Sequence, residues 1–318
     1  MPKIVILERE SVGLDVSVDQ INELGEVTVY PVSPIESIAA RVRDADIIIA
    51  NKSPLNEETL KDAPNVKLIC EFATGYDNVD LEYCNKRGIK VANVRNYSTA
   101  AVTQHTFALC LYILCKLRHY DEYVKSGTYA AQKNFSNFDL TFSELDGKTW
   151  GIIGMGHIGS SVAKVALSFG CRAIFFSPTG RSTCTEYERV TFDELLKESD
   201  FLSIHCPLSD ITRGLIDYAA LKKMKKSAIL INVARGPIVN DEDLYRALDE
   251  EIISGAGLDV TGTEPMKDSN PLSRFMDSNR LVITPHNAWA SIEARTRVVS
   301  ETYENIAAYL KGEERNII

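Results

Sequence analysis

Short apolar runs punctuate the first part of the chain at Lys3 to Leu7, Val27 to Tyr30, Ile47 to Ala50, Leu68 to Phe72 and Lys90 to Ala92. Polar stretches long enough for a helix separate them, and this alternation predicts β-α-β units with a parallel sheet buried on both faces. From Thr99 to about Leu117 the period becomes helical, with Val102, Phe107, Leu111 and Leu114 on an apolar side. It reads as a buried connecting helix between domains. Arg118 to Asp146 is polar and aromatic without clear period, and is expected to be an arm or a long loop. A second series of strands follows at Trp150 to Gly154, Ala173 to Phe176, Phe201 to His205, Ala228 to Val233, Ile253 to Leu258 and Leu281 to Thr284. The fold class expected is α/β, with two doubly wound parallel-sheet, Rossmann-like domains.

A length of 318 residues suits two domains. With 45% hydrophobic and 25% charged residues the chain has the composition of a globular protein, not of a disordered one. A net charge of -9, with no basic face longer than the run Lys222 to Lys226, argues against a nucleic-acid partner. That run reads as the solvated end of a helix. No apolar run approaches the ~20 residues of a membrane span, and the opening Met1 to Glu8 is too short for a signal-peptide core. No membrane partner is expected, and the location expected is cytoplasmic. The seven cysteines lack the paired spacing of a zinc or redox motif, so they read as reduced thiols and no metal is expected.

Gly154-Met-Gly156-His-Ile-Gly159 directly follows one apolar run and opens the helical pattern Ser160 to Phe169. In that context its glycines serve a tight turn, backbone approach to a pyrophosphate, and close packing of helix on strand. The helix amino terminus then offers free N–H groups to the phosphates. A glycine-rich turn with a packing role only is the plainer alternative. An NAD site usually places an acid about twenty residues on. Here the second strand ends Phe176-Ser177-Pro-Thr179-Gly-Arg181, with no acid. Ser177 and Thr179 can donate to the 2′-phosphate of NADP and Arg181 can pair with its charge, so the reading tilts toward NADP over NAD. NAD with Arg181 as a solvated loop residue stays open.

Arg235, Glu264 and His286 each stand just beyond an apolar strand, where open α/β sheets bind ligands. Reducing a 2-oxo acid needs a cation for the carboxylate, a proton donor for the carbonyl oxygen, and a group that keeps the donor protonated. Arg235 can orient the carboxylate, His286 can be the acid in reduction and the base in oxidation, and Glu264, if paired with His286, would favour the imidazolium. Singly, each has a plainer role: a structural ion pair, a turn carboxylate, a satisfied buried histidine. His105, His119, His157 and His205 have weaker claims.

With these residues stand Phe72-Ala-Thr-Gly75-Tyr-Asp77-Asn-Val-Asp80, His205-Cys-Pro-Leu208, Asn232-Val-Ala-Arg-Gly-Pro-Ile-Val239, Gly255-Ala-Gly-Leu-Asp-Val260, Thr263-Glu-Pro265 and Thr284-Pro-His-Asn-Ala-Trp-Ala-Ser291. Over nearly its whole length the chain resembles the D-isomer-specific 2-hydroxyacid dehydrogenases. The last motif, with Tyr97-Ser-Thr-Ala-Ala-Val-Thr-Gln-His105, is most similar to the glycerate dehydrogenase or hydroxypyruvate reductase branch. The resemblance implies that Arg235, Glu264 and His286 carry catalysis and that backbone at Thr74 and Gly75 helps hold the substrate carboxylate. It implies cofactor contacts at His157, Ile158, Ser177, Cys206, Pro207, Thr212, Val233 and Asp259. It also implies a substrate domain of residues 1–96 and 288–318, a dinucleotide-binding domain of residues 97–287 inserted into it, and a homodimer with Arg118 to Leu145 at the interface. Ser177 departs from the acid common in NAD-using members, and Gln104 from the Glu of many relatives. Lys52 stands where a substrate contact is plausible, with a solvated loop lysine as the alternative. The activity expected is NAD(P)H-dependent reduction of a small 2-oxo acid such as hydroxypyruvate or glyoxylate to the D-2-hydroxy acid. The alternatives are a bulkier or phosphorylated 2-oxo acid, or an NAD(H)-sensing corepressor on the same scaffold.

Overall fold

The computed structural model describes residues 1–318, which divide into two compact units, Met1–Ser98 with Ala290–Ile318, and Thr99–Trp289. In the first unit the chain runs β1 (Lys3–Ile6), β2 (Glu26–Val29), α1 (Ile35–Val42), β3 (Ile47–Ala50), α2 (Glu57–Leu60), β4 (Leu68–Glu71), α3 (Leu81–Arg87) and β5 (Lys90–Ala92). The strands form a parallel sheet in the order β2-β1-β3-β4-β5. β3 and β4 are buried at every residue, as expected where helices cover both faces of a parallel sheet. The β1-to-β2 connection holds two 3-10 turns, Arg9–Val12 and Asp19–Glu23, where the sequence allowed a helix.

The second unit begins with α4 (Thr99–Leu114), α5 (Leu117–Lys125) and α6 (Thr128–Ala131). It continues through β6 (Thr149–Ile153), α7 (His157–Ser168), β7 (Arg172–Phe176), β8 (Glu188–Arg189), α8 (Phe192–Glu198), β9 (Phe201–Ile204), α9 (Tyr218–Leu221), β10 (Ile229–Asn232), α10 (Asp241–Asp249), β11 (Gly255–Leu258) and β12 (Leu281–Ile283). Its seven parallel strands follow the order β12-β11-β10-β9-β6-β7-β8, so the winding reverses between β6 and β9. The chain then closes the first unit with α11 (Ile292–Leu310). Both sheets are the doubly wound, Rossmann-like kind read from the alternating runs.

α4 is buried along Val102, Phe107, Leu109, Cys110, Ile113 and Leu114 and packs on α7 and on β10 to β12. The Phe107 ring stands 4.4 Å from buried Trp150, whose indole N–H donates to Ser203 Oγ at 2.9 Å. The stretch from Arg118 is not loop throughout, because α5 and α6 lie in it. α5 buries no residue, although Leu117, Tyr120, Tyr123 and Val124 share one side at helical spacing, a pattern that sequence reading missed. The i,i+4 pairs Arg118–Glu122 at 2.8 Å and Asp121–Lys125 at 2.6 Å support it. No single helix is long and apolar enough to cross a membrane.

Candidate active site

Open parallel sheets bind ligands outside the carboxyl ends of the strands where the winding reverses. The first unit reverses between β1 and β3, and there it fills its own crevice. The Glu8 carboxylate accepts the backbone N–H groups of Asn51 at 2.8 Å, Lys52 at 3.0 Å and Ser53 at 3.1 Å, a nest that would otherwise suit an anion. The second unit reverses between β6 and β9, and there it keeps the crevice open. Gly154 has φ +93°, and a β-carbon on it would meet Cys206 backbone at 2.8 Å. A β-carbon on Gly159 would strike Gly154 O at 2.2 Å, whereas one on Gly156 would meet nothing within 4 Å. Gly156 is also the N-cap of α7, with no side-chain cap and no acid in the first turn. Open space beside an uncapped helix amino terminus fits a dinucleotide pyrophosphate. His157 and Ile158 open that helix, and Cys206 and Pro207 follow β9 across the crevice.

At the end of β7, Ser177 is buried, its Oγ accepting the Ser182 N–H at 3.4 Å. Thr179 Oγ1 accepts the Arg181 N–H at 3.4 Å, and Thr179, Gly180 and Arg181 are exposed. Thr212 is buried, with its hydroxyl donating to Pro207 O at 2.8 Å, so it braces the turn after β9 through its own hydrogen bonds.

The three candidate catalytic residues follow the adjacent strands β10, β11 and β12. Buried Asn232 at the end of β10 fixes the backbone around Arg235, donating to Arg235 O at 3.0 Å and accepting the Ala234 N–H at 3.1 Å. A β-carbon on Gly236 would lie 1.7 Å from Thr261 O, so only glycine lets the Arg235 loop touch the loop after β11. From that second loop the Thr261 N–H donates to Glu264 Oε1 at 3.2 Å, and Glu264 Oε2 lies 2.6 Å from His286 Nδ1. Glu264 thereby fixes the ring through Nδ1 and leaves Nε2 unengaged by it. His205, which directly follows β9, has both ring nitrogens buried without a partner. Burial pushes its pKa down to about 3, so it is no proton source at neutral pH.

Asp259 was expected to touch the cofactor. It is 1% exposed and its carboxylate is engaged by protein: Oδ1 accepts Thr284 Oγ1–H at 2.6 Å and the Asn287 N–H at 3.0 Å, and Oδ2 accepts the Ala288 N–H at 2.8 Å. These bonds straddle His286, whose φ of +53° is uncommon for a residue with a side chain and costs about 1–2 kcal/mol. The His286 N–H itself donates to Asp259 O at 2.8 Å. His105 of α4 extends the network, its Nε2 2.8 Å from Thr284 Oγ1. Because the Thr284 proton is given to Asp259, His105 must be the donor and carries its proton on Nε2. Sequence reasoning gave His105 a weaker claim and met Asn232 and Gly236 only as members of a motif, without the positioning roles seen here.

In the first unit, Thr74 turns its hydroxyl inward to Val94 O at 2.6 Å, and Asn93 holds Thr74 O at 2.7 Å. The backbone N–H groups of Thr74 and Gly75 donate to no protein acceptor. The Lys52 side chain is exposed and makes no ion pair. Val233 is half-buried just past β10.

The family described as D-isomer specific 2-hydroxyacid dehydrogenase, NAD binding domain, matches residues 107–288. The chain belongs to this family. The dehydrogenase is 35% identical to the hydroxypyruvate reductase of Blautia hydrogenotrophica, over 99% of both chains. It is 37% identical to the glycerate dehydrogenase of Methylorubrum extorquens, over 99% of its own length and 98% of the relative's. A solved acyclic imino acid reductase in complex with NADPH and D-arginine superposes with a TM-score of 0.89 at 31% identity, over 99% of both chains. The family resemblance read from the motifs, and its glycerate dehydrogenase and hydroxypyruvate reductase branch, are borne out.

Proposed function

We propose that the dehydrogenase reduces small 2-oxo acids, hydroxypyruvate and glyoxylate foremost, to the D-2-hydroxy acid, and that it prefers NADPH to NADH. The observation that carries this reading is the Glu264–His286 pair at 2.6 Å, formed by the loops after β11 and β12, with β11 lying next to β10, the strand that presents Arg235. Arg235 holds the substrate carboxylate by a two-pronged ion pair and orients the carbonyl. His286 gives the proton on Nε2 to the carbonyl oxygen, while Nδ1 stays tied to Glu264; in oxidation the same nitrogen takes the proton back. The bound nicotinamide supplies the hydride. The free N–H groups of Thr74 and Gly75 support a second hold on the carboxylate, and the unpaired Lys52 ammonium supports a contact from the same unit.

The open crevice between β6 and β9 supports the second unit as the dinucleotide-binding domain and the first as the substrate domain, with contacts at Gly154, Gly156, His157, Ile158, Gly159, Ser177, Thr179, Arg181, Cys206, Pro207, Thr212 and Val233. Ser177 where an acid would repel a 2′-phosphate supports NADPH, as does the relative solved with it. Exposed Phe135, Phe138 and Phe142 support a homodimer through the 118–145 region. Free cysteines throughout support a cytoplasmic location. The test is the initial rate of NADPH and NADH oxidation with hydroxypyruvate, glyoxylate and pyruvate. Turnover of the first two with NADPH ahead is expected. No turnover would overturn the substrate class, and NADH ahead would overturn the cofactor preference.

A further inference from the structure

The edge strand β8 carries a cation that no motif pointed to. Arg189 pairs in register with Phe175 of β7, and a β-carbon built on Gly180 would stand 3.4 Å from its Nη2. The guanidinium therefore reaches the Ser177 to Arg181 loop, where a sheet of this order holds the adenosine ribose of a dinucleotide. The neighbouring carboxylates are already engaged, since Arg172 pairs with both Glu188 and Glu198 at 2.6 Å. Neither Arg181 nor Arg189 makes an ion pair or a side-chain hydrogen bond. Arg181 belongs to the same loop, so an anion bound there has a second cation available. Buried Ser177 adds a hydroxyl whose oxygen already accepts the Ser182 N–H, leaving its proton to donate.

We propose that Arg189 is a second specificity-determining residue for the 2′-phosphate of NADPH, acting from β8 while Arg181 acts from the loop. This rests on the NADPH preference above. A planar, permanently charged guanidinium suits a phosphate monoester, and 5′-linked ribose without the 2′-phosphate offers it nothing comparable.

The test is calorimetric titration of the full-length protein with 2′,5′-ADP and with 5′-AMP, for wild type, Arg181→Ala and Arg189→Ala. Wild type is expected to bind 2′,5′-ADP at least tenfold more tightly than 5′-AMP. Arg189→Ala is expected to lose about tenfold to a hundredfold on 2′,5′-ADP alone, the worth of a charge-assisted contact. If Arg189→Ala leaves 2′,5′-ADP affinity intact while Arg181→Ala loses it, Arg189 has no part and the NADPH preference stands. Equal losses on both probes would also overturn the assignment, as damage not specific to the 2′-phosphate. Wild type that does not distinguish the probes would overturn the NADPH preference and this inference with it.

Discussion

Replacing Asp259 by Asn separates a residue that holds the catalytic loop from one that holds the cofactor. The carboxylate accepts Thr284 Oγ1–H and the Asn287 N–H on one oxygen and the Ala288 N–H on the other. An amide keeps a single acceptor oxygen, so in either orientation its –NH2 faces at least one backbone N–H. One charge-assisted bond, about 1.5–3 kcal/mol, is lost, and one buried N–H is left unpaired at a further cost of about 1–3 kcal/mol. The total is roughly 3–5 kcal/mol before the loop relaxes. A unit spanning Thr99–Trp289 melts about 2–4 °C lower per kcal/mol, so Tm should fall by about 6 °C or more. The same bonds hold His286 at φ +53°. Relaxing it displaces Nε2, and 1.4 kcal/mol lost from the transition state is a tenfold loss, so kcat should fall at least about tenfold. The assays are thermal melting, steady-state kinetics with hydroxypyruvate, and NADPH binding by fluorescence. NADPH Kd should stay within about threefold of wild type. Unchanged Tm and kcat with a large rise in Kd would refute the reasoning and return Asp259 to the cofactor.

Gly236→Ala should push the Arg235 loop off Thr261, because the new methyl meets a backbone oxygen that has no rotamer to escape into; an overpacking cost of about 1–3 kcal/mol and a fall in kcat/KM are expected, read by melting and kinetics. Glu71 is fully buried, with Oε2 unpartnered and Asn78 Nδ2 3.2 Å from Oε1, and burial pushes its pKa up to about 8 from 4.5. A carboxyl raised on folding binds its proton more tightly in the folded state, so stability falls as pH rises from about 4.5 to 8. Glu71→Gln should match wild type near pH 4.5 and gain on it up to pH 8, by at most about 5 kcal/mol, in urea unfolding across that range. A constant difference across pH would contradict it.

The strands and the glycine turn Gly154 to Gly159 were legible because their causes are local. Four branched or small apolar residues such as Ile47 to Ala50 have few ways to be buried on both sides, and three glycines between strand and helix leave one turn geometry open to them. Arg235, Glu264 and His286 were legible because each follows its own strand closely. α5 was not read, although Leu117, Tyr120, Tyr123 and Val124 share one side, because that side is short, interleaved with charges and buries no residue. Neither was the His105–Thr284–Asp259 network, whose members come from α4, the end of β12 and the end of β11. Its existence depends on how α4 lies across the strand ends, which no single segment encodes. Asp259 shows what a motif leaves unsaid: it carries the residue over, but not the hydrogen bonds to Thr284, Asn287 and Ala288 that packing gives it.

The two sheets of this chain make the same point about function. Both are parallel, both are doubly wound, and each has one place where the winding reverses and backbone N–H groups turn toward the crevice. In the first unit a carboxylate from the chain itself, Glu8, takes three successive N–H groups, so that crevice is satisfied before any ligand arrives. In the second unit the corresponding place holds glycine, no side-chain cap and no acid. An incoming pyrophosphate would have to displace a charge-assisted network in one unit and nothing in the other. The same winding thus leaves N–H groups at two places, and Glu8 occupies those of the first unit while no side chain caps those of the second.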